Sequence, residues 1–295
     1  MRHSAVLLPI FRFIPFFGFI PFFKLILLAA LSTSARASDC ANGGCLTIAA
    51  AASLKPALEA IRSDYLNTNP SDSITLIFGS STKLRSQIEG GAPFEMFFSA
   101  DMLLLEQLIQ GGHATSPAAL PFASGRIVLW LPKQSNSSRS TEPRQADLVT
   151  LQKPEIRRIA IANPVLAPYG IAAQDALRAA GVWESVKTKM VYGQDVGQAA
   201  QFVATGNAQA GIIALSLALS PQFTERGNFS IIPSQLHRPL AHGFIVTKKG
   251  ATSSVAARFR DWILGGRAKA RLTQNGLEPQ SESTAKRRQN ATEGL

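Results

Sequence analysis

The chain has 295 residues, a formal net charge of +11, two cysteines and four histidines. That length admits one large domain or two medium lobes around a real core. Its basic residues are scattered, apart from Lys286-Arg287-Arg288 in a polar tail, so no nucleic-acid-binding face is expected, and the few cysteines and histidines form no metal-ligand cluster.

Residues 1–37 read as an export signal. Arg2 and Arg12 give a basic start, Phe13 to Leu31 is apolar apart from Lys24, and Ala35-Arg36-Ala37 fits a small-residue cleavage pattern. Pro15, Pro21 and Lys24 interrupt the apolar run, which weighs against a retained membrane anchor. Without this stretch the net charge falls to +7, and the mature chain is expected to be soluble outside the cytoplasm. In that oxidising setting Cys40 and Cys45, with Gly43-Gly44 between them, are expected to close a small disulfide loop.

Beyond the signal, the hydrophobic pattern alternates between strand and helix. Leu46–Ala50 reads as a buried strand and Leu54–Leu66 as a helix. Strands over Ser73–Phe78 and Phe94–Ser99 alternate with helices over Thr82–Glu89 and Met102–Gln110. The helices stop at Gly90-Gly91 and Gly111-Gly112, and Asp101 is expected to cap the second of them. Strands then follow at Arg126–Leu131, Ile156–Ile161, Met190–Tyr192, Ala210–Ala214, Phe229–Ile232 and Ala241–Thr247. Tyr169–Ala180, Asp195–Thr205, Val255–Leu264 and Lys269–Asn275 read as helices, residues 134–146 as an exposed loop, and 280–295 as a disordered tail. Strands and helices in this succession predict an α/β fold with mostly parallel sheets.

Four helix starts share one design. Ser53, Ser81, Tyr169 and Val196 each stand just after a strand, where a helix begins. Taken singly, a serine there is an ordinary N-cap, worth about 1 kcal/mol. Taken together, the turns aim unpaired N–H groups and hydroxyls at the strand ends where open α/β sheets bind ligands. Neutral donors of this kind suit an oxyanion that carries no proton, sulfate-like or molybdate-like, because every ligand oxygen then accepts.

Enzymatic readings fit less well. Gly79-Ser80-Ser81 lacks the second glycine of a nucleophile elbow. His113, His237 and His242 read as surface or strand-edge residues, and Glu95 has no evident role. No phosphate-loop or dinucleotide motif occurs, so no cofactor is expected.

Ala49-Ala50-Ala51-Ala52-Ser53-Leu54, Gly79-Ser80-Ser81 and above all the run from Gln87-Ile88 through Ala92-Pro93-Phe94 to Ser99-Ala100-Asp101 resemble the periplasmic molybdate-binding proteins of ABC transporters. The similarity extends through Asn163-Pro164, Pro168-Tyr169-Gly170, Asp195-Val196 and Gly211-Ile212-Ile213, covering about residues 46–279. It implies a two-lobed binding protein of type II-like architecture, hinged at two chain crossings. Lobe one would hold 46–123 and 239–279, and lobe two 124–238. It further implies a monomer that performs no chemistry on molybdate or tungstate and delivers it to the permease subunits of an ABC transporter. A sulfate carrier on the same fold and a secreted serine hydrolase are the alternatives. By the same resemblance Ser53 and Ser81 bind the anion through backbone N–H and hydroxyl, and Tyr169 and Val196 through backbone N–H. Many members of that family supply a tyrosine hydroxyl where this chain has Ala214; either that contact is lost here or a hydroxyl comes from another wall, with Tyr169 the first candidate. Glu95 stands where the family usually has aspartate.

Overall fold

The computed structural model describes residues 44–133 and 146–280. The expected signal, Cys40, nearly all of the 134–146 loop and the tail from residue 281 lie outside the described residues. Cys45 is disulfide-bonded.

Two sheets organise the fold. The first takes β1 (Cys45–Ala51), β2 (Ser73–Gly79), β3 (Met96–Ser99), β4 (Leu120–Gly125), β10 (Leu240–Val246) and β11 (Glu278–Pro279), in the order β11-β4-β10-β3-β1-β2. The second takes β5 (Ile127–Pro132), β6 (Ile159–Ala162), β7 (Met190–Gly193), β8 (Ala210–Ala214) and β9 (Gly227–Ile231), in the order β7-β6-β8-β5-β9. The chain passes from the first sheet to the second across Arg126, between β4 and β5, and returns between β9 and β10.

The expectation of mostly parallel sheets is corrected: both are mixed. β1 pairs in parallel with β2 and β3, as does β6 with β7 and β8, each through helical crossovers. β10 runs antiparallel to β3 and β4, β11 to β4, and β5 to β8 and β9. The physical reason is the route of the chain. The strands that carry it between the sheets enter each one from the opposite end, so they join as antiparallel partners.

The central strands are buried on both faces, as their near-continuous apolar sequences require. β1 and β3 lie inside the first sheet, where Phe98 stacks on Phe244 at 4.9 Å and meets Phe122 edge-on at 5.4 Å. In the second sheet Trp130 packs so closely on Gly227 that a Cβ there would fall 2.0 Å from the indole. Helices α1 (Lys55–Thr68), α2 (Ser81–Glu89), α3 (Met102–Gln110), α9 (Ser254–Ile263) and α10 (Gly266–Gln274) cover the first sheet. Helices α4 (Pro168–Ala179), α5 (Trp183–Val186), α6 (Val196–Ala204), α7 (Leu215–Ala218) and α8 (Pro221–Thr224) belong to the second. The expected glycine stops are real: Gly91 and Gly112 take φ of 87° and 69°, a left-handed conformation that ends a helix without the cost of a Cβ clash.

Two residues gain roles their sequence did not suggest. Glu95 Oε2 accepts the Thr47 backbone N–H at 2.8 Å, tying β1 to the approach of β3. Gln280, expected to open a disordered tail, instead donates its N–H to the Phe122 carbonyl and its side-chain amide to Ser124 Oγ.

Candidate functional site

Ser53, Ser81, Tyr169 and Val196 line one small cleft together with Ala51, Ala52, Gly79, Ser80, Ala100, Ala167, Pro168 and Asp195. All four are almost fully buried. β1 and β2 deliver the first two from one sheet, β6 and β7 the others from the second. Across the cleft, a Cβ placed on Gly197 in α6 would come within 3.4 Å of the Ala52 methyl. The walls therefore meet closely, and a large side chain at 197 would hold them apart.

The helix starts differ from the sequence expectation in detail. Ser53 is no N-cap: it sits inside a single 3-10 turn, Ala52–Leu54, that leads into α1, and Leu54 takes the cap position. Ser80, not Ser81, caps α2, its hydroxyl accepting from Lys83 N. Ser81 is the first helical residue, Tyr169 the second residue of α4 after Pro168, and Val196 the first of α6 after the capping Asp195. First-turn N–H groups have no acceptor within their own helix, so these three point outward unpaired by helix bonds. The partial positive charge of each helix end reinforces them toward an anion. Lys55 is engaged with Glu59 and Lys83 is exposed, so neither lines the cleft.

The two serines are oriented differently. Ser81 Oγ accepts the Ala100 N–H at 3.1 Å, which leaves its own proton free to donate. Ser53 Oγ lies 3.1 Å from His242 Nε2. On its other side His242 Nδ1 faces the Leu240 carbonyl at 3.1 Å, an oxygen that can only accept, so Nδ1 carries the proton. In the neutral ring Nε2 is then an acceptor, and the Ser53 hydroxyl donates to it. Burial holds this ring neutral and pushes its pKa down to about 4, against a smaller upward pull from the Leu240 carbonyl.

Tyr169 packs against the same pair. Its ring centroid is 5.9 Å from that of His242, and its hydroxyl faces Ser53 without forming a hydrogen bond. Burial pushes the phenol above the usual tyrosine range, so it stays a proton donor. Ala214 ends β8 and lies outside the cleft lining. Two residues on, Ser216 Oγ donates to the Ser53 carbonyl at 2.6 Å and fixes that turn.

The expectation that His242 is a surface or strand-edge residue is corrected: it is completely buried in β10. Its strand is interior because β10 pairs on both sides, with β3 and β4. The available signal was a lone histidine inside the apolar run Leu240–Val246. His113 and His237 are half-buried and outside the site. The Ser53–His242 contact has the length of a nucleophile–base pair but not its chemistry. A backbone carbonyl, not a carboxylate, orients the ring, and a base titrating near 4 is a poor proton acceptor at neutral pH. Among the described residues no group of histidine, cysteine and acids could hold a metal ion, and no helix is long and apolar enough to cross a membrane.

The family model of bacterial extracellular solute-binding proteins matches residues 46–278. The molybdate-binding protein ModA of Rhodobacter capsulatus is 34% identical over 191 residues, which cover 64% of this chain and 71% of that protein. ModA of Azotobacter vinelandii is 35% identical over 193 residues, covering 65% and 73%. The solved periplasmic molybdate-binding protein of Azotobacter vinelandii superposes with a TM-score of 0.71 at 27% identity, covering 80% of this chain and all of that one.

Proposed function

This chain belongs to the bacterial extracellular solute-binding proteins, and on that premise we propose that it captures molybdate outside the cytoplasm and delivers it to an ABC transporter. It is a binding protein and not an enzyme. The observation that carries this reading is the convergence of Ser53, Ser81, Tyr169 and Val196 on one cleft walled by helix starts, with no cation among its lining residues. Such a wall offers donors only at fixed positions. A protonated phosphate would leave its hydroxyl facing a donor, and an unmatched buried group costs about 1–3 kcal/mol. Tungstate, close to molybdate in size and charge, binds too, while sulfate is too small to reach all the donors at once.

The finer assignments follow from the same reading. Lobe one is 46–123 with 239–279, lobe two is 124–238, and closure about the two crossings dries the cleft and strengthens each N–H···O bond. The chain acts as an exported monomer, freed of residues 1–37, that presents the closed form to the permease subunits. Titration calorimetry of the mature chain with molybdate, tungstate, sulfate and phosphate tests this: the first two should bind, with sulfate and phosphate weaker by at least about tenfold. Equal or tighter sulfate binding would make it a sulfate carrier instead.

Two substitutions probe the hydroxyls. Ser81→Ala removes a donor to the anion and also the acceptor of the buried Ala100 N–H. Affinity and unfolding free energy should each fall by about 1–3 kcal/mol, and wild-type affinity in calorimetry would reduce Ser81 to a structural role. Tyr169→Phe separates the two quantities. Its hydroxyl is buried and unpartnered, so stability should hold or rise slightly while affinity drops by about 1–3 kcal/mol. Unchanged affinity would remove Tyr169 as the replacement for the hydroxyl absent at Ala214.

A further inference from the structure

Resting on the molybdate reading, we propose that His242 is a positioning residue that makes capture proton-linked: the dianion draws the Ser53 hydroxyl away from His242 Nε2, and a proton from solvent takes its place on that nitrogen. The argument is one of donor count. As these side chains are arranged, the single Ser53 proton goes to Nε2, because Nδ1 already gives its proton to Leu240. If Ser53 turned to an anion oxygen and nothing else changed, Nε2 and Ser53 Oγ would face each other as two acceptors in a dry interior. Exchanging the ring tautomer moves the conflict to Nδ1 and the Leu240 carbonyl. Adding one proton removes it: the imidazolium donates to Leu240 through Nδ1 and to Ser53 Oγ through Nε2, and Ser53 donates to the anion. The balance is one anion and one proton entering, with no covalent bond made or broken.

The charge favours this as well. Burial disfavours the imidazolium in the empty cleft, and a neighbouring dianion supplies the opposite charge that restores it. Among the described residues no other cation lines the cleft, and the one carboxylate that does, Asp195, accepts from Gln198 N at 2.9 Å. Of the elements packed on His242, α4 presents Tyr169, β3 and β10 carry no charged residue, and β4 contributes Phe122, Ala123 and Gly125. Arg126 beyond β4 pairs with Glu278 of β11, Arg238 before β10 with Asp175 of α4, and Lys55 at the start of α1 with Glu59. Arg178 of α4 lies over Trp183.

The sign follows from linkage. Between the low titration of the empty site and the raised titration of the complex, binding takes up a proton, so affinity falls as pH rises, at most about tenfold per unit, and levels off above the raised value. Calorimetry of the mature chain with molybdate, in two buffers of different ionisation enthalpy between about pH 5.5 and about pH 8, reads the uptake directly. The expected result is a net uptake approaching one proton toward the acid end, with the His242 ring signal in NMR moving to the imidazolium position on binding. His242→Gln keeps an N–H that can face Ser53 but cannot titrate; it should bind molybdate with no proton uptake. Wild-type binding with no proton exchange over the whole range would overturn the proposal. So would an uptake that survives in His242→Gln, because the proton would then sit elsewhere, on the anion or on the Asp195 carboxylate of the cleft wall. A wild-type chain that binds neither molybdate nor tungstate would instead refute the function beneath it, and this inference with it.

Discussion

Replacing Val196 by proline should weaken molybdate binding by about tenfold to a hundredfold while helix α6 stays in place. The substitution removes one atom that matters, the N–H hydrogen at the first helical position. Proline is tolerated there because that N–H has no helical partner and its fixed φ suits the first turn. The residue before it must be extended, and Asp195 already is, with φ −143° and ψ 177°. Asp195 also keeps its capping bond, Oδ1 accepting from Gln198 N at 2.9 Å. On the proposed site the anion would lose a charge-assisted hydrogen bond worth about 1.5–3 kcal/mol, and that sets the range given. Circular dichroism and a melting curve check that the fold survives, and calorimetry reads the affinity. A full-strength binder would show that α6 does not hold the ligand, and the cleft would have to be redrawn around its other walls.

Much of this was legible in the sequence, for reasons that differ from element to element. Long periodic runs such as Met102–Gln110 ended where glycine put them, because a left-handed stop is a local property. Ser81, Tyr169 and Val196 were legible as helix starts because a first turn needs no partner from elsewhere in the chain. β4 was not. Leu120–Gly125 contains Pro121 and Gly125, and it pairs only because a register shift opposite His242 and Gly243 accommodates it. The antiparallel mixing of the sheets depended on the two crossings, which no local pattern encodes. His242 escaped for the same reason: its partner Ser53 lies 189 positions away in the chain. Only the fold, which sets β3 alone between β10 and β1, brings His242 to the turn after β1, and a histidine without its neighbours reads as an ordinary polar residue.

Gly125→Ala should damage the site more than the fold. At the end of β4 this glycine lies under both buried polar groups: a Cβ there would fall 2.1 Å from Tyr169 Oη and 2.7 Å from His242 Cε1. Neither can retreat freely, since Tyr169 is wedged into the start of α4 and His242 is held from both ring nitrogens. Overpacking of this kind costs about 1–3 kcal/mol of stability, a melting shift of a few degrees. Affinity should suffer further, because the displaced groups set the Ser53 hydroxyl and the Tyr169 amide, the donors proposed to meet the anion. We expect the Kd for molybdate to rise by at least about tenfold. Pairing the change with Tyr169→Phe removes the atom at 2.1 Å and leaves the one at 2.7 Å. The double variant should therefore recover part of the stability lost by Gly125→Ala alone, a non-additivity that groups in contact display and distant ones do not. Strict additivity in the melting curves would mean that the two positions do not touch, and the packing that sets Tyr169 beside Ser53 and His242 would be wrong.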